Sequence, residues 1–86
     1  MALIFIDVDP ETGNDHSPTI WVDPDAANIV IQSWEADDAL LAAVAEAPAP
    51  GHAPGVPAGE VVIRIPARMV PALRRACDAA EHPTLR

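Results

Sequence analysis

Between Pro48 and Gly59 the chain places four prolines and three glycines in twelve residues. Proline has no N–H to donate and a fixed φ, and glycine loses the most entropy when ordered, so neither sustains a ladder or a helix here. The stretch predicts an extended or mobile linker and leaves the segments on either side to build the regular structure. An 86-residue chain buries only about 60 to 65% of the surface that its unfolded form exposes. It is therefore read as one small domain, residues 1–86, with an internal linker at 48–59 and a thin core. Self-association would relieve that thinness.

The apolar patterning then divides the rest. Ala2–Val8 is a branched and aromatic run stopped by Asp9-Pro10, which predicts a first strand. Residues 11–17 collect Gly13, Asn14, Asp15 and Ser17, which favour a loop. Thr19–Asp23 predicts a second strand. Asn28–Trp34 predicts a third, with Ile29, Ile31 and Ser33 on one side and Val30, Gln32 and Trp34 on the other. The short link at Pro24-Asp25 makes the last two an antiparallel hairpin. Leu40, Leu41 and Val44 recur at helical spacing behind Asp37 and Asp38, predicting a helix from Asp37 to about Ala47. Glu60–Ile65 predicts a fourth strand. A final helix beginning near Val70, with Pro71 in its first turn, ends at His82-Pro83. Its apolar face takes Met69 or Val70, Leu73, Ala76 or Cys77, and Ala80. The expected fold is α+β: a small antiparallel sheet of about four strands, in the order β-β-β-α-β-α, with two helices packed on one face.

Charge is unevenly laid out. The net charge is −8 and the five basic residues are all arginine. Through Glu60 there are eleven acids and no base; beyond it come the arginines, with only Asp78 and Glu81 against them. Such a chain is a poor ligand for nucleic acid or an anionic membrane, both of which need clustered basic groups. A molecule polarised in this way can pair with a neighbour, Arg64, Arg68, Arg74 and Arg75 meeting its acids, or with a foreign basic surface. No apolar run approaches the ~20 residues of a membrane span, and Met1–Asp7 lacks the basic flank of a signal peptide, so a cytoplasmic location is expected.

No segment carries a complete catalytic constellation. Leu3–Asp9 looks superficially like the nucleophile strand of haloacid-dehalogenase-type phosphatases, but that chemistry requires a lysine, and this chain has none. Asp7, Asp9, Glu11 and Asp15 have oxygen-ligand spacing reminiscent of a calcium loop, yet Thr12 stands where the turn needs glycine and Pro18 where a glutamate should close the site. With His16 they remain the candidate ligands for a divalent ion, the alternative being ordinary loop acidity. Asp15-His16-Ser17 are adjacent and cannot face one another as a triad must. His16, His52 and His82 lie in separate segments, which gives zinc no support. Cys77 is read as a packed side chain. Trp21 and Trp34 are each either core or partner anchor; the scarcity of large aromatics favours core, with the two packing across one sheet face.

Ser17-Pro18-Thr19-Ile20-Trp21-Val22-Asp23 followed by Ile29-Val30-Ile31-Gln32-Ser33-Trp34 resembles a motif pair in short uncharacterised actinobacterial proteins, with Ser33 in place of the usual glycine of Val-Gln-Gly-Trp. The likeness continues through Asp37 or Asp38, Val62-Ile63-Arg64-Ile65-Pro66, Leu73, Ala76 and Cys77. Members of that family are encoded beside helix-turn-helix regulators, which implies an accessory role in regulation. The combined expectation is a non-enzymatic acidic interaction protein, homodimeric and without a cofactor, whose partner is a protein such as a helix-turn-helix regulator. Its candidate contact residues are Trp21, Trp34, Asp23, Asp25, Arg68, Arg74 and Arg75. The alternatives are a metal-dependent enzyme or ion-binding module on the N-terminal acids, and a structural subunit of a larger assembly.

Overall fold

The computed structural model describes residues 2–13 and 17–81. It is of the α+β class, with an antiparallel three-stranded sheet, a second sheet of two short strands and two α-helices. The chain divides into two compact units, one made of Met1–Ser33 with Ile65–Arg86, the other of Trp34–Arg64.

In the first unit, β1 (Ile4–Val8), β2 (Thr19–Asp23) and β3 (Asn28–Gln32) form the sheet in that order. The β2–β3 register is uninterrupted from Thr19↔Gln32 to Asp23↔Asn28. The link is a tight turn because the Asp23 carboxylate accepts from the N–H groups of Asp25 and Ala26, bending the main chain back on itself. The β1–β2 register slips between Phe5 and Asp7, so Ile6 is an extra residue in β1. That bulge changes which way β1 faces: Phe5 lies opposite Trp21, whereas Asp7 lies opposite Ile20.

A 3₁₀ turn, Ala67–Met69, runs into α2 (Val70–Glu81), with Pro71 in the first helical turn as its missing N–H requires. The helix packs on all three strands, β2 foremost. Ile20, Val22, Met69, Ala72 and Ala76 form the buried core, flanked by Ile6, Ile29, Ile65, Leu73, Ala79 and Ala80. Alanine at 72 and 76 lets the helix axis sit close to β2. Of the alternative apolar positions, Met69 and Ala76 face inward, while Val70 and Cys77 are exposed. Cys77 is thus a surface thiol and not a packed one, because it stands about 100° around the helix from Ala76. The predicted helix end at His82-Pro83 lies outside the described residues.

The second unit begins where the third strand was expected to continue. β3 stops at Gln32, and after Ser33 a separate strand, β4 (Trp34–Glu35), pairs antiparallel with β5 (Ile63–Arg64), Trp34 opposite Arg64. The expected fourth strand of the main sheet is therefore only two residues long and belongs to a different sheet. Two tryptophans on one sheet face are excluded for the same reason. Between β4 and β5, α1 (Asp38–Ala45) starts from Asp37, whose carboxylate accepts from the Leu40 N–H at 2.8 Å. None of its residues is buried; α1 belongs to the second unit, and α2 is the helix that packs on the three-stranded sheet within the first. The Pro/Gly stretch is a succession of turns, with Gly51, Gly55 and Gly59 at positive φ.

Candidate functional site

The bulge at Ile6 brings together groups that strict alternation would have separated. Asp7 and, two residues on, Asp9 project on the side of the sheet that α2 covers, about 7 Å apart along the strand. Arg68 and Arg75 are seven residues apart, two turns along one side of the 3₁₀ turn and α2, and their long side chains close on those carboxylates. Arg68 binds Asp9 through two parallel bonds, Nε to Oδ1 at 2.7 Å and Nη2 to Oδ2 at 2.6 Å. Glu11 adds a carboxylate oxygen 3.3 Å from Arg68 Nε. Arg75 pairs with Asp7.

The Asp9 side chain is wholly removed from solvent. Its position is also held by the main chain: its N–H donates to the Pro18 carbonyl at 2.8 Å, and its Oδ1 accepts from the Glu11 N–H. The Arg68 guanidinium holds the carboxyl below the usual carboxylate range, against the upward push of burial, and Asp9 raises Arg68 in return. This is a fork-to-fork pair of the strong, geometrically specific kind. It joins residues 59 apart and ties the N-terminal strand to the C-terminal helix.

The acidic and arginine-bearing halves thus meet inside one chain, where a neighbouring copy had been an expected source of the acids. Arg68 is engaged by the buried Asp9, and Arg75 by the half-exposed Asp7. Arg74 is exposed, and its side chain makes no ion pair or hydrogen bond among the described residues. Asp23 is buried as the cap of the β2–β3 turn, and Asp25 is exposed within that turn. Asp7, Asp9 and Glu11, read as possible ion ligands, are taken up by guanidinium groups; Asp15 and His16 lie outside the described residues. Among the described residues no group of three or more His, Cys, Asp or Glu is arranged to hold a metal ion. No signal in the sequence singled out the Asp9–Arg68 pair, because it depends on the bulge.

Among the described residues, no element of the first unit covers the other face of the three-stranded sheet. Phe5, Trp21 and Val30 form a cross-strand row on it, since each lies opposite the next and alternates with the core residues Ile20, Val22 and Ile29. Phe5 is 57% exposed, while Trp21 and Val30 are half-buried by their neighbours. Trp34, in the second unit, is also half-buried, so neither tryptophan is a core residue. That unit has a cleft of about 620 Å³ between the end of α1 and the turns, lined mainly by small apolar residues with His52 and Glu60. No serine, threonine, cysteine or lysine lines it. No helix is long and apolar enough to cross a membrane among the described residues. Comparison of the chain with protein-family models, with curated proteins and with solved structures finds no match.

Proposed function

We propose that this chain is a non-enzymatic binding module that engages a basic protein partner through the face of its three-stranded sheet opposite α2. The observation that carries the proposal is the Phe5-Trp21-Val30 row. A chain with one phenylalanine and two tryptophans places two of the three on a face that no element of the same unit covers. Aromatics that reach the surface, as Phe5 does and Trp21 does in part, supply much of the binding energy at protein interfaces. Charge favours a basic partner: the net charge is −8, and while Asp7, Asp9 and Glu11 face the two guanidinium groups of Arg68 and Arg75, Asp25, Glu35, Asp37, Asp38, Glu46 and Glu60 are all exposed. Acidic surface speeds encounter with a basic partner and repels nucleic acid. The motif pair around Trp21 and Trp34 suggests a helix-turn-helix regulator as that partner, with the chain in an accessory role.

Affinity purification from the native host, at moderate salt, tests this with the native chain beside Phe5→Asp. The native chain retains a helix-turn-helix regulator, identified by mass spectrometry, and Phe5→Asp loses it while keeping its circular dichroism. Equal recovery by both proteins, or recovery of no regulator by either, defeats the proposal.

A further inference from the structure

The three-stranded sheet has two edges, β1 and β3, and they are unlike. The β1 edge carries the Ile6 bulge and the charged Asp7, two devices by which proteins prevent strand addition. The β3 edge has neither. Its residues, Asn28-Ile29-Val30-Ile31-Gln32, include no proline, no glycine and no charge, and its register with β2 is unbroken. Among the described residues its backbone hydrogen bonds go to β2 alone, and Asn28, Ile31 and Gln32 are exposed.

We propose that this edge pairs with itself: a second copy of the chain adds its own β3, antiparallel, about a two-fold axis through Val30. The strand is self-complementary in that register. Asn28 faces Gln32 of the second copy at both ends of the pair, where Gln32 Nε2 donates to the Ser17 carbonyl of its own chain at 3.1 Å and its Oε1 is left to accept; Ile29 faces Ile31; Val30 faces Val30. Charge permits pairing there: β3 holds no charged residue, so two copies of a chain with net charge −8 join it without opposing carboxylates in the paired strands, whereas the β1 edge holds Asp7. A foreign extended segment would satisfy the same main-chain groups but would not supply the amide and isoleucine partners. Pairing makes one six-stranded sheet and joins the two Phe5-Trp21-Val30 rows end to end through Val30. The inference concerns the sheet edge and stands without the regulator proposed above.

Sedimentation velocity from about 10 µM to about 1 mM, the range for a modest interface, tests it. The proteins are the native chain, Asn28→Lys/Gln32→Lys, Asn28→Glu/Gln32→Glu, and an equimolar mixture of the two variants. The native chain dimerises; each variant sets like charges opposite one another and dimerises at least tenfold more weakly; the mixture recovers the dimer. One variant lowers the net negative charge and the other raises it, so weakening in both is not an effect of overall charge. A native chain monomeric throughout, variants that associate like the native chain, or a mixture that stays monomeric overturns the proposal. Hydrogen exchange on the native chain gives a second reading that needs no variant. The β3 amides directed away from β2 gain protection as concentration rises, and exchange that stays constant while the chain dimerises overturns the edge as the interface.

Discussion

Ala27 holds a left-handed backbone, with φ 56°, at the end of the β2–β3 turn. A Cβ in that region costs about 1 to 2 kcal/mol, and glycine's extra unfolded-state freedom returns about 0.5 to 1. Ala27→Gly is therefore expected to stabilise the chain by about 0.5 to 1 kcal/mol, read as an increase of several degrees in thermal midpoint. At Asp9 the relevant quantity is proton linkage. Its carboxyl is more acidic in the folded chain than in the unfolded one, so its contribution is complete above the ordinary carboxylate value near pH ~4 and is lost as pH falls through the lower folded value. Arg68 is raised, and stays charged throughout that range. Asp9→Asn should be less stable than the native chain at pH 7 and lose less stability between pH ~5 and pH ~2, as denaturant titrations at several pH values would show. An equally steep acid loss in the variant would rule Asp9 out as the titrating group.

At the scale of elements, the α2 stripe makes a sharp contrast between neighbours. Met69 is 2% exposed, and truncation to alanine should cost about 2 to 5 kcal/mol. Cys77→Ser, on the outer surface, should change stability by less than about 0.5 kcal/mol. The native thiol should react with a thiol reagent without denaturant; protection until unfolding would contradict the exposed position. Asp37→Ala should loosen the start of α1 by about 0.5 to 2 kcal/mol through loss of the bond to the Leu40 N–H, visible as faster amide exchange there. These cases also show where the sequence was readable. β2 was legible because Pro18 and Pro24 bracket a short run of branched and aromatic residues, and the Asp37 cap because a cap is a local bond. Trp34 was assigned to β3 because alternation continues through Ser33; its true partner, Arg64, is thirty residues away and no local pattern encodes it. The Asp9–Arg68 pair was hidden for the same reason, compounded by a bulge that reverses the face of every residue after Ile6. What remained legible of the site was its composition, acids early and arginines late, without the fact that they meet in one chain.

The whole molecule is built from two chain segments that meet in the first unit, with residues 34–64 as an excursion between them. The excursion leaves and returns at one place, since Trp34 and Arg64 are cross-strand partners, and such partners stand about 4.5 to 5.5 Å apart. The bonds that hold the first unit, the α2 stripe on β2 and the Arg68 and Arg75 pairs to β1, all lie within it. A shortened chain joining Ser33 to Ile65 through two or three glycines should therefore fold cooperatively, with α2 amides protected from exchange and the acid sensitivity contributed by Asp9 preserved. It would be less stable in proportion to any support the excursion gives, but its unfolding should remain a single transition in denaturant. Retention of regulator binding by this shortened chain would place the contact surface on the Phe5-Trp21-Val30 face. Loss of binding with the fold intact would move it to Trp34, α1 or the proline-rich turns. A shortened chain without cooperative unfolding would mean that the helix and sheet are not self-sufficient, and that the second unit is part of what orders them.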